Sequence, residues 1–321
     1  MVDFVVLLWA VIPPLLFLAY YYYRVRIAPP IQLLLLLFVV GAVSGFVALG
    51  LQLGLETVAS QFVNWRQVQR GIFGATLRQL LAIAPIEEGC KLIAVIIPIF
   101  YLKRRQQLPP VTVFLFTIAA ALGFTAEENW IYLYHGTASI FDRTIGTPVH
   151  AMFSAPWGYA LGKYLSPNCQ VNRRKNYKNL LIWAWINSLI FHALVNICST
   201  AWRYSPPLHL LSYCLFPLLL WMFWRMEQLL RKVQNQQPII LISGHTRQHR
   251  YWQRGLLLFA IILGGNAIFG LFLLVRVLSP LNPVKLLSRD IFSFTATRFL
   301  LNFCFGIIAY LIYWYLKSKT G

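Results

Sequence analysis

The sequence predicts an all-α membrane protein, a polytopic transmembrane bundle of about nine spanning helices, on three observations. Of its 321 residues 59% are hydrophobic and 12% charged, with a mean hydropathy of +0.63; soluble domains carry roughly 25% charged residues. Apolar runs long enough to cross a hydrocarbon core of about 30 Å recur along the chain. The breaks between them carry helix-stopping residues: Ala28-Pro29-Pro30, Pro109-Pro110, Pro167-Asn168, Ser205-Pro206-Pro207 and Ser279-Pro280. This composition excludes a water-coated soluble enzyme and a disordered chain.

The expected spans are 4–23, 31–53, 79–102, 111–134, 147–165, 179–201, 208–224, 255–278 and 294–316. The first lacks a basic start and a small-residue cleavage site and contains Pro13-Pro14, so it reads as a retained helix and not a removed signal. Tyr20 to Tyr23, Trp183, Trp185, Trp221, Trp224, Trp314 and Tyr315 sit near span ends, as interfacial aromatics do. No internal repeat is evident. The chain divides into an N-terminal hairpin and loop (1–78), a four-helix core (79–201) and a C-terminal part (202–321) with a basic loop at 225–254. That loop reads as a linker, a docking segment or a lipid-surface segment around its apolar patch Ile239 to Ile242.

The net charge of +19 comes from 28 Lys and Arg against 9 Asp and Glu. These cations stand between apolar runs, where topology and attraction to the lipid bilayer explain them better than nucleic acid does. The loops at 24–26, 103–105, 163–178 and 225–254, with the tail at 317–319, carry about twice the Lys and Arg of the alternate loops. The positive-inside rule then places the N-terminus outside and the C-terminus in the cytoplasm, in what is expected to be a prokaryotic inner or plasma membrane. Cys90, Cys169, Cys198, Cys214 and Cys304 form no CxxC pair and read as small side chains, mostly within apolar stretches.

Four acids fall inside spans: Glu87, Glu88, Glu127 and Glu128, joined by Lys91, His150, His192 and Asn196. A charge at mid-bilayer costs about 2.5–3.5 kcal/mol, so these groups must face one another or a polar cavity. Lys91 lies four residues from Glu87 and three from Glu88, within reach of either. Glu127 points about 100° away from Glu128, toward another helix. At 1.5 Å per residue, Glu88, Glu128, His150 and His192 lie roughly 14, 9, 5 and 14 Å below the outer ends of their spans. Four consecutive helices thus present acid, acid, imidazole and imidazole-plus-amide in the outer half of the bilayer. His135, His209, His245 and His249 lie at loops or span ends and carry no assignment.

These segments read Glu87-Glu88-Gly-Cys-Lys91, Phe124-Thr-Ala-Glu127-Glu128-Asn129, His150-Ala-Met-Phe153-Ser-Ala-Pro-Trp-Gly158 and His192-Ala-Leu-Val-Asn196. In order, they resemble the PrsW family of intramembrane proteases, which looks like a distant relative of the CAAX prenyl endopeptidases. The resemblance covers about residues 80–200, and Asn196 stands where many members carry Asp. It implies a protease, commonly labelled a metalloprotease, acting on a membrane-protein or peptide substrate such as an anti-sigma-type regulator.

Peptide hydrolysis needs an activated water, oxyanion stabilisation and a proton donor. Glu87 or Glu88 can act as general base beside Lys91, while His192 and Asn196 can donate to the oxyanion, or His192 to the leaving amine. Zinc favours three protein ligands and an open position. Glu128, His150 and His192 supply such a set for Zn2+, with Glu88 as base. Spacing leaves the metal-assisted and glutamate-only routes both open. The rival function is a proton- or ion-coupled transporter using the Glu/His cluster as a relay; the lack of a repeat or of paired broken helices disfavours it. Gly123, Gly136, Gly158 and Gly162 are expected to permit close helix approach or docking of a substrate helix. The topology is checked with reporter fusions: alkaline phosphatase fused after Gly136 should be active and after Gly321 inactive, and the reverse pattern contradicts the assignment.

Overall fold

Inside hydrocarbon a backbone finds hydrogen-bond partners only within itself, and each of the nine apolar runs accordingly folds as helix. A computed structural model describes residues 2–68, 70–103, 107–166, 171–244, 246–279, 281–282 and 288–318. Pro167-Asn168, Cys169, His245, Pro280 and the basic positions 104–105 and 319 lie outside the described residues.

The helices are α1 (Val2–Tyr23), α2 (Ile31–Phe62), α3 (Trp65–Val68), α4 (Ile72–Arg78), α5 (Ala84–Lys103), α6 (Pro110–Tyr134), α7 (Ile140–Gly146), α8 (Val149–Leu165), α9 (Val171–Thr200), α10 (His209–Tyr213), α11 (Leu215–Val233), α12 (Arg247–Leu278) and α13 (Arg289–Ser318). A π-helical turn, Gln79–Ile83, joins α4 to α5, and no strand occurs among the described residues. The expected seventh span is α10 continued by α11. Among the described residues, seven segments are long and apolar enough to span a membrane alone: α1, α2, α6, α9, α10–α11, α12 and α13. Two helices at the expected third and fifth spans fall short, because α5 carries Glu87, Glu88 and Lys91 and α8 has only 17 residues. Both carry candidate site residues singled out from the sequence, and the polar load that disqualifies α5 is Glu87, Glu88 and Lys91.

The chain forms two compact units. Unit one comprises Met1–Ile197 and Met226–Gln236. Its axis is α6, 89% buried over its apolar window, with α1, α2, α5 and α8 packed around it. Glycines let backbones touch there. A Cβ on Gly41 would stand 2.0 Å from the Ala120 carbonyl oxygen, and one on Gly123 1.8 Å from that of Phe38, so α2 and α6 cross in backbone contact. Gly158 and Gly162 of α8 likewise lie against Thr117 and Pro110. Three of the four glycines singled out from the sequence therefore serve internal packing. The fourth, Gly136, has φ +64° and ends α6 in the left-handed conformation that glycine adopts without strain. Tyr21 of α1 and Arg24 just past its end both donate to the Glu227 carboxylate of α11.

Unit two comprises Cys198–Arg225 and Gln237–Gly321. It is built on the α12–α13 pair, with Gly265 against Pro217 and Gly270 against Asn302. Part of the 225–254 loop is held: Leu241 is buried, and Gln253 Oε1 accepts the Ser243 and Gly244 amides at 2.8 and 2.9 Å.

Gly123→Ala forces the α2–α6 crossing apart and is expected to cost about 1–3 kcal/mol. Gly50→Ala, where a Cβ meets nothing within 4 Å, should leave the thermal midpoint in detergent unchanged or slightly raised. Equal midpoints for the two variants would contradict the close crossing.

Candidate active site

Helical periodicity delivers the polar groups of α5 to one place. Glu88 and Lys91 are three residues apart and both are fully buried. Lys91 Nζ donates to Glu88 Oε1 at 2.8 Å and lies 3.8 Å from Glu87 Oε2. It also stands 4.1 Å above the Phe124 ring of α6, a favourable seat for a desolvated cation. Glu88 Oε2 accepts from Ser154 Oγ at 2.9 Å and Trp157 Nε1 at 3.0 Å. Both donors sit on the α8 face that carries His150, at i+4 and i+7.

His150 is bound on both ring nitrogens. Lys91 Nζ lies 2.7 Å from Nδ1. An ammonium only donates, so Nδ1 accepts and the ring proton is on Nε2. Nε2–H donates to Glu128 Oε2 at 2.9 Å. That same Glu128 oxygen accepts from Arg143 Nη2 at 2.6 Å, while Arg143 Nε donates to Asn129 Oδ1 at 2.6 Å. Arg143 comes from α7, a short helix started by a Ser139–Asp142 capping box. The sequence runs Arg143, Glu128, His150, Lys91, Glu88 as a continuous chain of hydrogen bonds.

His192 of α9 stacks on Phe153 of α8, with ring centroids 4.5 Å apart and planes 14° apart. Its Nε2 lies 3.6 Å from Glu87 Oε2 and its Nδ1 3.4 Å from Glu88 Oε1. Ser188 Oγ donates to the Phe153 carbonyl and ties α9 to α8. Asn196, one turn beyond His192, donates to Gln79 Oε1 at 2.9 Å. This links α9 to the π-turn that leads into α5, a kind of irregularity that recurs at functional sites.

The structure thus joins Glu87, Glu88, Lys91, Glu128, His150 and His192 in one cluster and ties Asn196 to the turn beside it. The metal-capable grouping differs from the one expected from sequence. Among the described residues, the donors lying within 4.8 Å of one another belong to Glu87, His150 and His192. Glu128 stands behind His150 instead, because Arg143 draws its carboxylate toward α7. Glu87 takes the inner place: Oε1 accepts from Gln52 Nε2 at 3.1 Å, and Oε2 is buried without a hydrogen-bond partner. It faces His192 Nε2 at 3.6 Å and His150 Nδ1 at 4.0 Å. A buried carboxylate oxygen without a hydrogen-bond partner beside two imidazoles fits a zinc-like cation, with Glu128 as the carboxylate that fixes the tautomer of a ligating histidine.

Gln52, Gln79, Arg143, Ser154 and Trp157 join the site without having been singled out by the sequence motifs. Ser154 and Trp157 carried a signal in their spacing from His150, and Gln52 in being polar within an apolar run. Arg143 carried none, since its reach depends on how α7 folds back. Glu127, read as pointing elsewhere, packs against Gly45 of α2, and its Oε1 is buried without a hydrogen-bond partner.

Arg143→Gln and Glu128→Gln should lower metal affinity or cleavage by about 10–100-fold, as outer-sphere changes do, with the fold retained by circular dichroism. Unchanged values in both would remove Glu128 from the site.

No curated protein and no solved structure matches the chain. A family model for the PrsW family intramembrane metalloproteases matches residues 29–222, which span every residue of the cluster and the π-turn. With its apolar helices and its buried Glu/His group, the chain belongs to the PrsW family, a family of intramembrane metalloproteases.

Proposed function

We propose that this protease hydrolyses a peptide bond of a membrane-protein substrate near the non-cytoplasmic leaflet, at the cluster around Lys91. The observation that carries the reading is the unpartnered, buried Glu87 Oε2 facing two imidazoles. An anti-sigma-type regulator is one substrate class consistent with it. Glu87, His150 and His192 would hold the metal ion. When bound, such an ion supplies Lewis acidity and makes water a stronger nucleophile at neutral pH.

The chain's own residues divide the remaining work. Ser154 and Trp157 lock Glu88 Oε2, so Oε1 is the oxygen able to accept a proton from water. Lys91 is the counter-charge of Glu88 through the direct bond to Oε1. Glu128 and Arg143 hold the His150 ring, and Phe153 holds that of His192. Burial of the cluster keeps bulk water from screening these charges. Asn196 and Gln79 fix the register of α9 against the start of α5.

A second reading, the glutamate-only route, is favoured by one observation: Lys91 already engages His150 Nδ1. In that reading Glu87 Oε2 takes the proton from water, and His192 Nε2 shares the same water across the 3.6 Å gap.

Elemental analysis of purified protein separates the two. The first reading expects about one zinc per chain, lost in His150→Ala and His192→Ala. Metal-free protein that still cleaves contradicts it. Glu88→Gln should lower cleavage by about 10²–10⁴-fold, read by N-terminal sequencing of membrane-protein fragments from cells carrying wild type or variant. Unchanged fragments would contradict the assignment of Glu88, and proton flux without fragments would favour a transporter.

A further inference from the structure

The donor set proposed for the metal shares an atom with a cation the chain already carries. His150 Nδ1 has one in-plane lone pair. Lys91 Nζ takes it at 2.7 Å, and the Nε2 side is closed by Glu128 at 2.9 Å. Turning the ring over would break the Glu128 bond, so the imidazole has no second lone pair to offer. The ammonium is buried completely and enclosed by Glu88 Oε1, His150 Nδ1 and the Phe124 ring. It also lies 3.8 Å from Glu87 Oε2, the same oxygen that looks toward both imidazoles.

We propose that the Lys91 ammonium and a divalent cation are alternative occupants of His150 Nδ1, so that Lys91 sets how tightly the site takes metal. The proposal rests on the reading that Glu87, His150 and His192 form the metal site. Lys91 compensates Glu88 in both states. With a divalent cation on His150, the ammonium gives up Nδ1 and keeps its bond to Glu88 Oε1, across the α5 face from the imidazole. With no divalent cation present, Lys91 caps the lone pair that would otherwise be buried without a donor, and the outer chain through Glu128 and Arg143 stays in place. Two cations cannot share one lone pair, and at this separation they repel in a poorly screened interior. Lys91 is therefore a positioning residue that works against metal affinity while preserving the ligand geometry.

The test is a Co2+ titration of the full-length protein in detergent, followed by the visible absorption of the bound ion, for wild type and Lys91→Met. Methionine keeps length and removes both charge and donors. The proposal expects Lys91→Met to bind Co2+ at least about tenfold tighter than wild type, with His192→Ala abolishing the signal in either background. Should Lys91→Met fail to fold, the comparison moves to Lys91→Met/Glu88→Gln against Glu88→Gln, where removing the acid along with the amine leaves no unpaired charge. Unchanged or weaker binding on loss of Lys91, with wild type binding one equivalent that His192→Ala removes, overturns the proposal and leaves the metal reading standing. No binding by any of these proteins overturns both.

Discussion

Lys91 and Glu88 are both fully buried, and a charge so placed is tolerable only beside its partner. Removing one member of such a pair typically costs about 3–5 kcal/mol, because the other is left uncompensated in the interior. The remaining geometry follows from satisfying these two groups. The second oxygen of Glu88 draws in Ser154 and Trp157, which fixes the rotation of α8. The ammonium draws in His150 Nδ1, which sets the tautomer and turns Nε2 toward Glu128. Arg143 then closes the outer end. One lysine thereby orders Glu88 of α5, His150 of α8 and, through it, Glu128 of α6.

The close helix crossings serve the same end. Glycines at positions 41, 123 and 162 bring α2, α6 and α8 to backbone contact, and Gly158 lies against the Thr117 side chain; helices that near can share hydrogen bonds between short side chains. α5 and α8 are the two predicted spans that do not qualify as membrane helices by themselves, the first through its charges and the second through its length. They are stable in unit one because α6 presents a surface to them and their polar groups satisfy each other. Fold and candidate site are coupled here: the residues that make α5 a poor membrane helix are those that build the buried cluster.

Much of this was legible in the sequence. Acids inside apolar runs are expensive enough that they had to converge, and counting residues from span ends put Glu88, Glu128, His150 and His192 all in the outer half of the bilayer. The reach of Lys91 to either neighbouring carboxylate followed from i+3 and i+4 spacing, and the structure shows both at 2.8 and 3.8 Å. The choice between Glu87 and Glu128 as the inner carboxylate was not legible. It depends on Arg143, whose α7 folds back over the end of α6 through a turn at Gly136, and no periodicity reports that reach. Nor did periodicity report the π-turn at Gln79–Ile83, which adds a residue to one turn and changes the rotation of α4 relative to α5. That rotation brings Gln79 to Asn196, a contact that a regular helix from 79 onward would not suggest.

Lys91 and Glu88 form one energetic unit. A double-mutant cycle on metal-free protein, by unfolding in mixed micelles, measures it directly. Glu88→Gln and Lys91→Met should each lose about 3–5 kcal/mol, and the double variant should lose much less than their sum. Losses that add to within about 0.5 kcal/mol, as distant independent sites do, would contradict it.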